Sequence, residues 1–201
     1  MGHAYEEIAF TPAVRARQEA NGSAKAYDGF DQGPEHHDRL GPIEADFVGR
    51  RDSFYMASVG EAGWPYIQHR GGPPGFLKVL DDKTIAFADY RGNRQYVSVG
   101  NVGGDDRVAL FLMDYPNKTR LKLFGRARLT EDPEVVARLM DEGYKARPER
   151  GWLIEVAGFA WNCPQHITPR FTEVEIIAGV RPLHQRIAEL EAEVARLTSS
   201  K

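Results

Sequence analysis

The sequence predicts a mainly β fold, a small six-stranded antiparallel β-barrel with short peripheral helices and a C-terminal helix. Three observations support this prediction. Short segments rich in aromatic and β-branched residues follow one another with little more than turns between them. Segments with helix start signals are few, and consecutive hairpins fit a barrel better than a βαβ fold. With 201 residues, 42% of them hydrophobic, the chain is long enough for a domain with its own core.

The first 41 residues are predicted to form a helical and irregular wrap. Thr11 is a favourable N-cap and Pro12 a favourable first helical residue, so a helix is expected from here to about Ala20. Residues 21–41 are rich in glycine, proline and polar residues and are expected to be irregular. They include His36-His37-Asp38, but adjacent ligands without a third partner at a set spacing are typical of a solvated loop, and we expect no metal site.

Residues 42–178 are predicted to form the barrel domain. Short helices are expected over 42–50, 93–101 and 133–142, the first and last of them opened by a proline. The clearest strand alternates Leu or Ala with Arg or Lys, and only Phe124 breaks its polar face. The segments with strand character are Ser53–Val59, Trp64–His69, Phe76–Leu80, Thr84–Asp89, Arg107–Met113, Thr119–Thr130, Trp152–Ala157 and Phe171–Ile177.

Residues 179–201 are predicted to form an amphipathic helix that opens at Pro182 and ends near Leu197. Leu183, Ile187, Leu190, Val194 and Leu197 follow a heptad spacing, so one face of the helix is a hydrophobic seam. A helix this short is marginal alone and needs a surface for its seam. It either packs on its own domain or contacts another helix across a dimer, and a third interpretation makes it an adaptor for another protein.

Composition excludes several classes of function. The formal net charge is −3, which argues against a general nucleic-acid-binding protein. No hydrophobic run has the length of a membrane helix, and the first ten residues do not resemble a signal peptide, so we expect a cytoplasmic protein without membrane partners. Cys163 is the only cysteine, which excludes an intrachain disulfide, and we interpret it as a buried thiol without a redox role.

Cations and helix-start donors on neighbouring segments suggest phosphate recognition without a P-loop. Arg70 ends one strand, Lys78 lies in the middle of the next, and Asn93 and Arg94 stand at the start of a predicted helix. A phosphate needs several converging donors, and a helix start supplies free backbone amides. Neither GxxxxGK[ST] nor GxGxxG occurs, so Walker-type and Rossmann sites are disfavoured.

Three segments resemble the flavin-mononucleotide (FMN)-binding split barrels related to pyridoxamine 5'-phosphate oxidase. They are FYMASVGEAGWPYIQHRGGPPGFLKVLD, IAFADYRGNRQYVSVGNV and TRLKLFGRARLT, and the resemblance covers roughly residues 40–175. It implies an FMN site in which strand-borne Arg and Lys residues hold the flavin phosphate, a further strand ends beside the ring, and a helix start adds donors. The residues matching these elements are Gln68, His69, Arg70, Lys78, Ala88, Asp89, Asn93, Arg94 and Gln95.

The resemblance also implies a homodimer with its sites at the subunit interface. Arg120 and Lys122 then reach the partner's flavin, and the segment from Trp161 to Arg170 is a candidate cover for the ring through Trp161, Gln165 and His166. This segment and the RGGPPG loop indicate a subgroup distinct from the vitamin B6 oxidases. The expected function is an FMN-dependent oxidoreductase acting on a small molecule, with His69 and His166 as catalytic candidates. The alternative is a non-catalytic flavin- or haem-binding stress or storage protein.

Overall fold

A single antiparallel sheet of seven strands forms the centre of the structure. The computed structural model describes residues 3–27, 36–161 and 164–199. The strand order is β2-β1-β5-β6-β7-β4-β3, and every pairing is antiparallel. The strands are β1 Ser53–Val59, β2 Pro65–Gly71, β3 Lys78–Val79, β4 Thr84–Tyr90, β5 Arg107–Asp114, β6 Thr119–Thr130 and β7 Pro148–Trp161. The prediction of a mainly β antiparallel fold is confirmed.

Short helices surround this sheet, and one long helix follows it. They are α1 Ala4–Ala9, α2 Pro12–Ala20, α3 Ala24–Tyr27, α4 Pro42–Gly49, α5 Val97–Gly104, α6 Pro133–Leu139 and α7 Glu173–Ser199. The chain divides into two compact units. The first comprises the described residues of Met1–Asp114 and Thr119–Pro164, and the second those of Tyr115–Lys118 and Gln165–Lys201. No helix in the described part of the chain is both long and hydrophobic enough to span a membrane.

The core lies on the inner face of the sheet and is rich in aromatic rings. Trp152 stacks on Phe87 with ring centroids 5.8 Å apart, and Phe54 meets Phe87 edge to face at 5.3 Å. All three side chains are fully buried. Strand β6 alternates as predicted, with Leu121 and Leu123 in this core. The core therefore fixes which residues of each strand face inward.

The strand count is seven and not six, and the predicted strand Phe171–Ile177 is wrong. The predicted strand Phe76–Leu80 is shortened to β3, which has only two residues, because the RGGPPG loop ends two residues before it and a turn at Asp81–Lys83 follows. Helix α7 already begins at Glu173 and not at Pro182. Its first turn is held by a capping box, in which Thr172 N donates to Glu175 Oε2 (2.7 Å) and Glu175 N donates to Thr172 Oγ1 (3.3 Å).

Other element boundaries also differ from the prediction. Helix α1 lies in the first ten residues, where no pattern was recognised because six residues are too few to show a period. Helix α5 begins at Val97 and not at Asn93, and β7 extends to Pro148 and Trp161 at its two ends. The expected boundary between residues 178 and 179 falls inside α7. Cys163 lies outside the described residues.

Helix α1 packs directly on strand β7 because Gly158 has no side chain. A Cβ atom at Gly158 would lie 2.6 Å from the backbone nitrogen of Tyr5 and 2.8 Å from the carbonyl carbon of Ala4. The Tyr5 ring continues across the sheet and stacks on Phe124 at 4.6 Å. The one hydrophobic residue on the polar face of β6 is therefore covered by α1.

We expect Gly158→Ala to lower the free energy of unfolding by about 1–3 kcal/mol, because the new methyl group overlaps backbone that cannot move without displacing α1. Gly100→Ala is the matched control. Nothing lies within 4 Å of a Cβ at Gly100, which is inside α5, so this variant should be unchanged or more stable by about 0.5–1 kcal/mol. Urea unfolding midpoints measure both. Equal midpoints for the two variants would show that α1 does not pack closely on β7.

Candidate functional site

A polar cavity of about 200 Å³ opens where β2 and β4 end beside the start of α5. Five of the residues predicted from the sequence line it: Gln68, Arg70, Asp89, Asn93 and Arg94. The other lining residues are Tyr90, Gly92, Tyr96, Ser98, Val99 and Glu149. The structure thus brings residues from β2, β4, β7 and the loop before α5 into one site.

Arg70 is the most deeply buried cation of this cavity. It is paired with Phe54 across β1 and β2, so its side chain points to the core side of the sheet. Its Nη1 donates to Asp89 Oδ1 (2.6 Å), and its guanidinium lies 5.1 Å from the Trp152 ring centroid. Burial lowers the pKa of Arg70, and the Asp89 carboxylate opposes this shift. An arginine with this partner remains protonated at neutral pH.

Arg70 also retains a donor that the protein does not use. Among the described residues, the buried Nε–H groups of Arg70 and Arg150 have no hydrogen-bond partner. Arg150 Nε lies 3.6 Å from Asp89 Oδ2, so one carboxylate serves two guanidinium groups. Two guanidinium groups against the one carboxylate of Asp89 leave a positive charge that is not balanced by this carboxylate. The arrangement is suited to an anionic group.

The start of α5 forms a second wall with further donors. Ser98, which is buried, donates its hydroxyl to Gln68 Oε1 (2.7 Å) and so joins the helix to β2. Backbone amides in the first turn of a helix have no acceptor within the helix, and the helix dipole favours an anion there. This wall therefore favours an anion, as the guanidinium of Arg70 does.

The loop between β4 and α5 is held in an unusual conformation. Arg94 and Tyr96 have φ angles of 60° and 54°, in the left-handed region that non-glycine residues seldom adopt. Tyr96 donates its hydroxyl to Glu149 (3.1 Å) and accepts a hydrogen bond from Arg94 Nε (3.2 Å). Strained backbone of this kind concentrates at functional sites, where the surrounding contacts maintain it.

Lys78 does not line the cavity. Its Nζ donates to Asp141 Oδ1 (2.6 Å), and Asp141 Oδ2 accepts a hydrogen bond from the hydroxyl of Tyr90 (3.0 Å), which does line it. Ala88 does not line it either, because its side chain lies on the face of β4 opposite to that of Asp89, buried beside Leu139. The role of both residues in binding a cofactor stays a prediction. Gln95, next to the cavity in sequence, is exposed.

His69, Arg120 and Lys122 lie on the opposite face of the sheet from Arg70. The His69 ring meets Tyr55 edge to face at 5.5 Å, and Arg120 lies over Phe111 at 5.6 Å. Lys122 Nζ is 4.6 Å from the Tyr5 ring centroid, and burial together with Arg120 lowers the pKa of Lys122. Lys122 lines a second, largely apolar cavity of about 340 Å³ on this face, and His69 and Arg120 contact two of its other lining residues, Tyr55 and Phe111.

The last three predicted residues lie elsewhere. Trp161 is at the far end of β7 from Glu149 and donates Nε1–H to Glu44 Oε1 (2.8 Å). Gln165 and His166 belong to the second unit, where both are exposed and His166 has a positive φ of 62°. Their part in covering a ring stays a prediction.

Sequence reasoning missed Glu149 and Arg150 because β7 was expected to begin at Trp152. In the structure β7 begins at Pro148, and Arg150 is paired with Asp89 across β4 and β7. Extending the strand back by four residues would have placed these two charges beside Asp89. Tyr96 and Ser98 lie within the quoted segment, but nothing in the sequence distinguishes them from ordinary helix-start residues.

The comparisons with known proteins agree with this fold. The family model of pyridoxamine 5'-phosphate oxidase matches residues 44–157, more than half of the chain. The structure is similar to HupZ from Group A Streptococcus, with 14% identity, a TM-score of 0.50, and coverage of 66% of this chain and 99% of that one. A histidine-to-alanine variant of HupZ gives 14% identity and a TM-score of 0.51, covering 61% and 99%. Identities this low show the fold alone. None of the curated proteins compared with this chain matches it.

Proposed function

The chain belongs to the pyridoxamine 5'-phosphate oxidase family, and on that premise we propose that it is a flavoprotein that binds FMN and acts as an oxidoreductase on a small molecule. The observation that carries the proposal is the guanidinium of Arg70, which is largely buried, pairs with Asp89 and lines a polar cavity. A phosphate monoester is a natural acceptor for such a donor, since arginine binds phosphate with charge-assisted hydrogen bonds.

The residues of the cavity fit the phosphate end of FMN. Arg70, Arg94 and Asn93 supply side-chain donors, and the first turn of α5 supplies backbone donors. A cavity of about 200 Å³ is smaller than the ~300–1,000 Å³ of sites that enclose a drug-sized ligand. It therefore accommodates the phosphate and part of the ribityl chain, and the flavin ring needs a further wall.

The protein's contribution to the reaction is to bind the flavin and to orient it relative to the substrate. The flavin ring, when bound, accepts and returns a hydride. No histidine lines the cavity in the described part of the chain, and His69 lies on the other face of the sheet. Hydride transfer depends on the distance and alignment of donor and acceptor more than on a general base, so the site does not need one.

A second copy of the chain is the proposed source of the missing wall. The outer face of β1, β2 and β5 exposes Tyr55 and Ile67 beside Phe111, with Arg120 at its border. Aromatic residues and arginine are enriched at protein interfaces, and a contiguous apolar patch on a sheet is typical of a contact surface. We propose that this face forms a homodimer that completes two flavin sites.

Ile67→Glu should raise the dissociation constant of this dimer by about tenfold or more, because a carboxylate that loses its hydration on burial replaces an apolar contact. Sedimentation equilibrium measures the constant. Ile43→Glu is the matched control, since Ile43 is exposed on α4, away from this face. The free energy of unfolding of both variants should stay close to that of the wild type. An unchanged dissociation constant for Ile67→Glu would remove this face from the interface.

The absorbance spectrum of the purified protein tests the cofactor. We expect flavin bands, either directly or after addition of FMN. Stopped-flow reduction of the bound flavin by NADH or NADPH would then support an oxidoreductase, whereas a retained flavin that neither reductant reduces would favour a non-catalytic carrier. Haem bands, or a colourless protein that takes up no FMN, would contradict the proposal.

A further inference from the structure

Helix α7 carries a hydrophobic seam that continues without interruption along most of its length. In a heptad register the a positions are Val180, Ile187 and Val194, and the d positions are Leu183, Leu190 and Leu197. The five residues from Leu183 to Leu197 are each between 44% and 63% exposed. A seam of this size stabilises a helix only when it is covered, because most helical stability in proteins comes from packing of the hydrophobic face.

The residue types along the seam indicate which kind of coiled coil it forms. From Val180 to Leu197 every a position is β-branched and every d position is leucine, whereas the first turn of the helix has Glu173 at a and Ile176 at d. In parallel coiled coils this combination favours two strands, because β-branched side chains pack well at a and leucine at d in the dimer geometry. Pro182, which lies within the helix, occupies a c position and does not belong to the seam.

The charges beside the seam favour a parallel arrangement of identical helices. Arg186 is at a g position, and Glu191 is at the following e position. In a parallel dimer the g residue of one helix faces the next e residue of its partner, so Arg186 and Glu191 of two copies form two opposite-charge pairs. Within one chain, Arg186 contacts Glu189 (3.0 Å) and not Glu191. Glu191 is therefore available to a second helix on the same side.

We propose that α7 pairs with α7 of a second copy of this chain as a parallel two-stranded coiled coil. The seam supplies the apolar layers, and the two Arg186–Glu191 pairs fix the direction. This contact is separate from the sheet face proposed above and does not depend on flavin binding. It gives the protein a self-association element of its own at the C-terminal end.

Cysteine cross-linking in the full-length chain tests the pairing and its direction. In a Cys163→Ser background, Leu183→Cys and Leu197→Cys are made separately and oxidised under mild conditions. In a parallel dimer each d residue faces its own copy, so each variant alone should form a disulfide-linked dimer. The controls are Gln185→Cys and Ala192→Cys at f positions, which face away from the seam and should stay monomeric on a non-reducing gel.

The other outcomes overturn the proposal in distinguishable ways. In an antiparallel pair each d position faces an a position of the partner, so neither single variant would cross-link with itself, and Leu183→Cys would cross-link only when mixed with Val194→Cys. Without a helix pair, neither the single variants nor the mixture would exceed the f-position controls. As a second measurement, Arg186→Glu should reduce the cross-linked fraction of Leu183→Cys, and adding Glu191→Arg should restore it. Failure of this restoration would contradict the proposed charge pairing.

Discussion

Replacing Arg70 with alanine is expected to weaken FMN binding by about 1.5–3 kcal/mol, the value of a lost charge-assisted hydrogen bond. The same change should lower the free energy of unfolding by about 3–5 kcal/mol, because Asp89 stays buried and keeps only Arg150 at 3.6 Å. Both effects come from one buried guanidinium that pairs with Asp89 at 2.6 Å and lines the polar cavity. Isothermal titration with FMN and urea unfolding measure them separately.

Arg70→Lys separates the two effects. Lysine keeps the positive charge beside Asp89, so most of the stability should remain, but it lacks the second prong of the guanidinium that binds phosphate. We expect this variant to unfold close to the wild-type midpoint and to bind FMN more weakly. Wild-type affinity in both Arg70 variants would show that the phosphate does not lie against this residue.

Replacing Trp152 with alanine should lower the free energy of unfolding by about 3–5 kcal/mol, the typical cost of removing a large aromatic side chain from a core. Trp152 is fully buried, stacks on Phe87 and forms the platform beneath Arg70. The loss of that platform should also weaken FMN binding. Unfolding is best followed by circular dichroism, since the substitution removes an intrinsic fluorophore.

Trp64→Ala is the matched control for this prediction. Trp64 is 79% exposed in the turn between β1 and β2, so the same truncation should change the free energy of unfolding by less than about 0.5 kcal/mol. Similar losses in the two variants would mean that Trp152 is not a central part of the core. A stable Trp152→Ala protein with lost FMN binding would instead assign the residue mainly to the site.

Strands were predictable from the sequence where the local residue pattern matches the burial that the fold imposes. The hairpin strands were recognised from aromatic and β-branched runs, and β6 from its alternation, because a half-buried strand shows its two faces in the sequence. Helix α7 was placed too late because Pro182 is a strong start signal. The Thr172–Glu175 capping box ten residues earlier was overlooked, and the β-branched residues that follow it suggested a strand.

The site was predictable only in part, because its geometry depends on contacts distant in sequence. Gln68, Arg70, Asp89, Asn93 and Arg94 do meet in one cavity. His69 lies between Gln68 and Arg70 in sequence and Ala88 precedes Asp89, but the two-residue period of a strand turns His69 and Ala88 to the opposite face. Lys78 is likewise paired with Asp141, a contact across 63 residues that no local pattern reveals.

The most direct test of the central claim is a titration of the wild-type protein with FMN and, in parallel, with riboflavin. The two ligands share the flavin ring and the ribityl chain and differ only in the phosphate. If the cavity beside Arg70 binds the phosphate, FMN should bind at least about tenfold more tightly than riboflavin, since one charge-assisted hydrogen bond is worth about 1.5–3 kcal/mol. Equal affinity for the two ligands, or no binding of either, would contradict the claim.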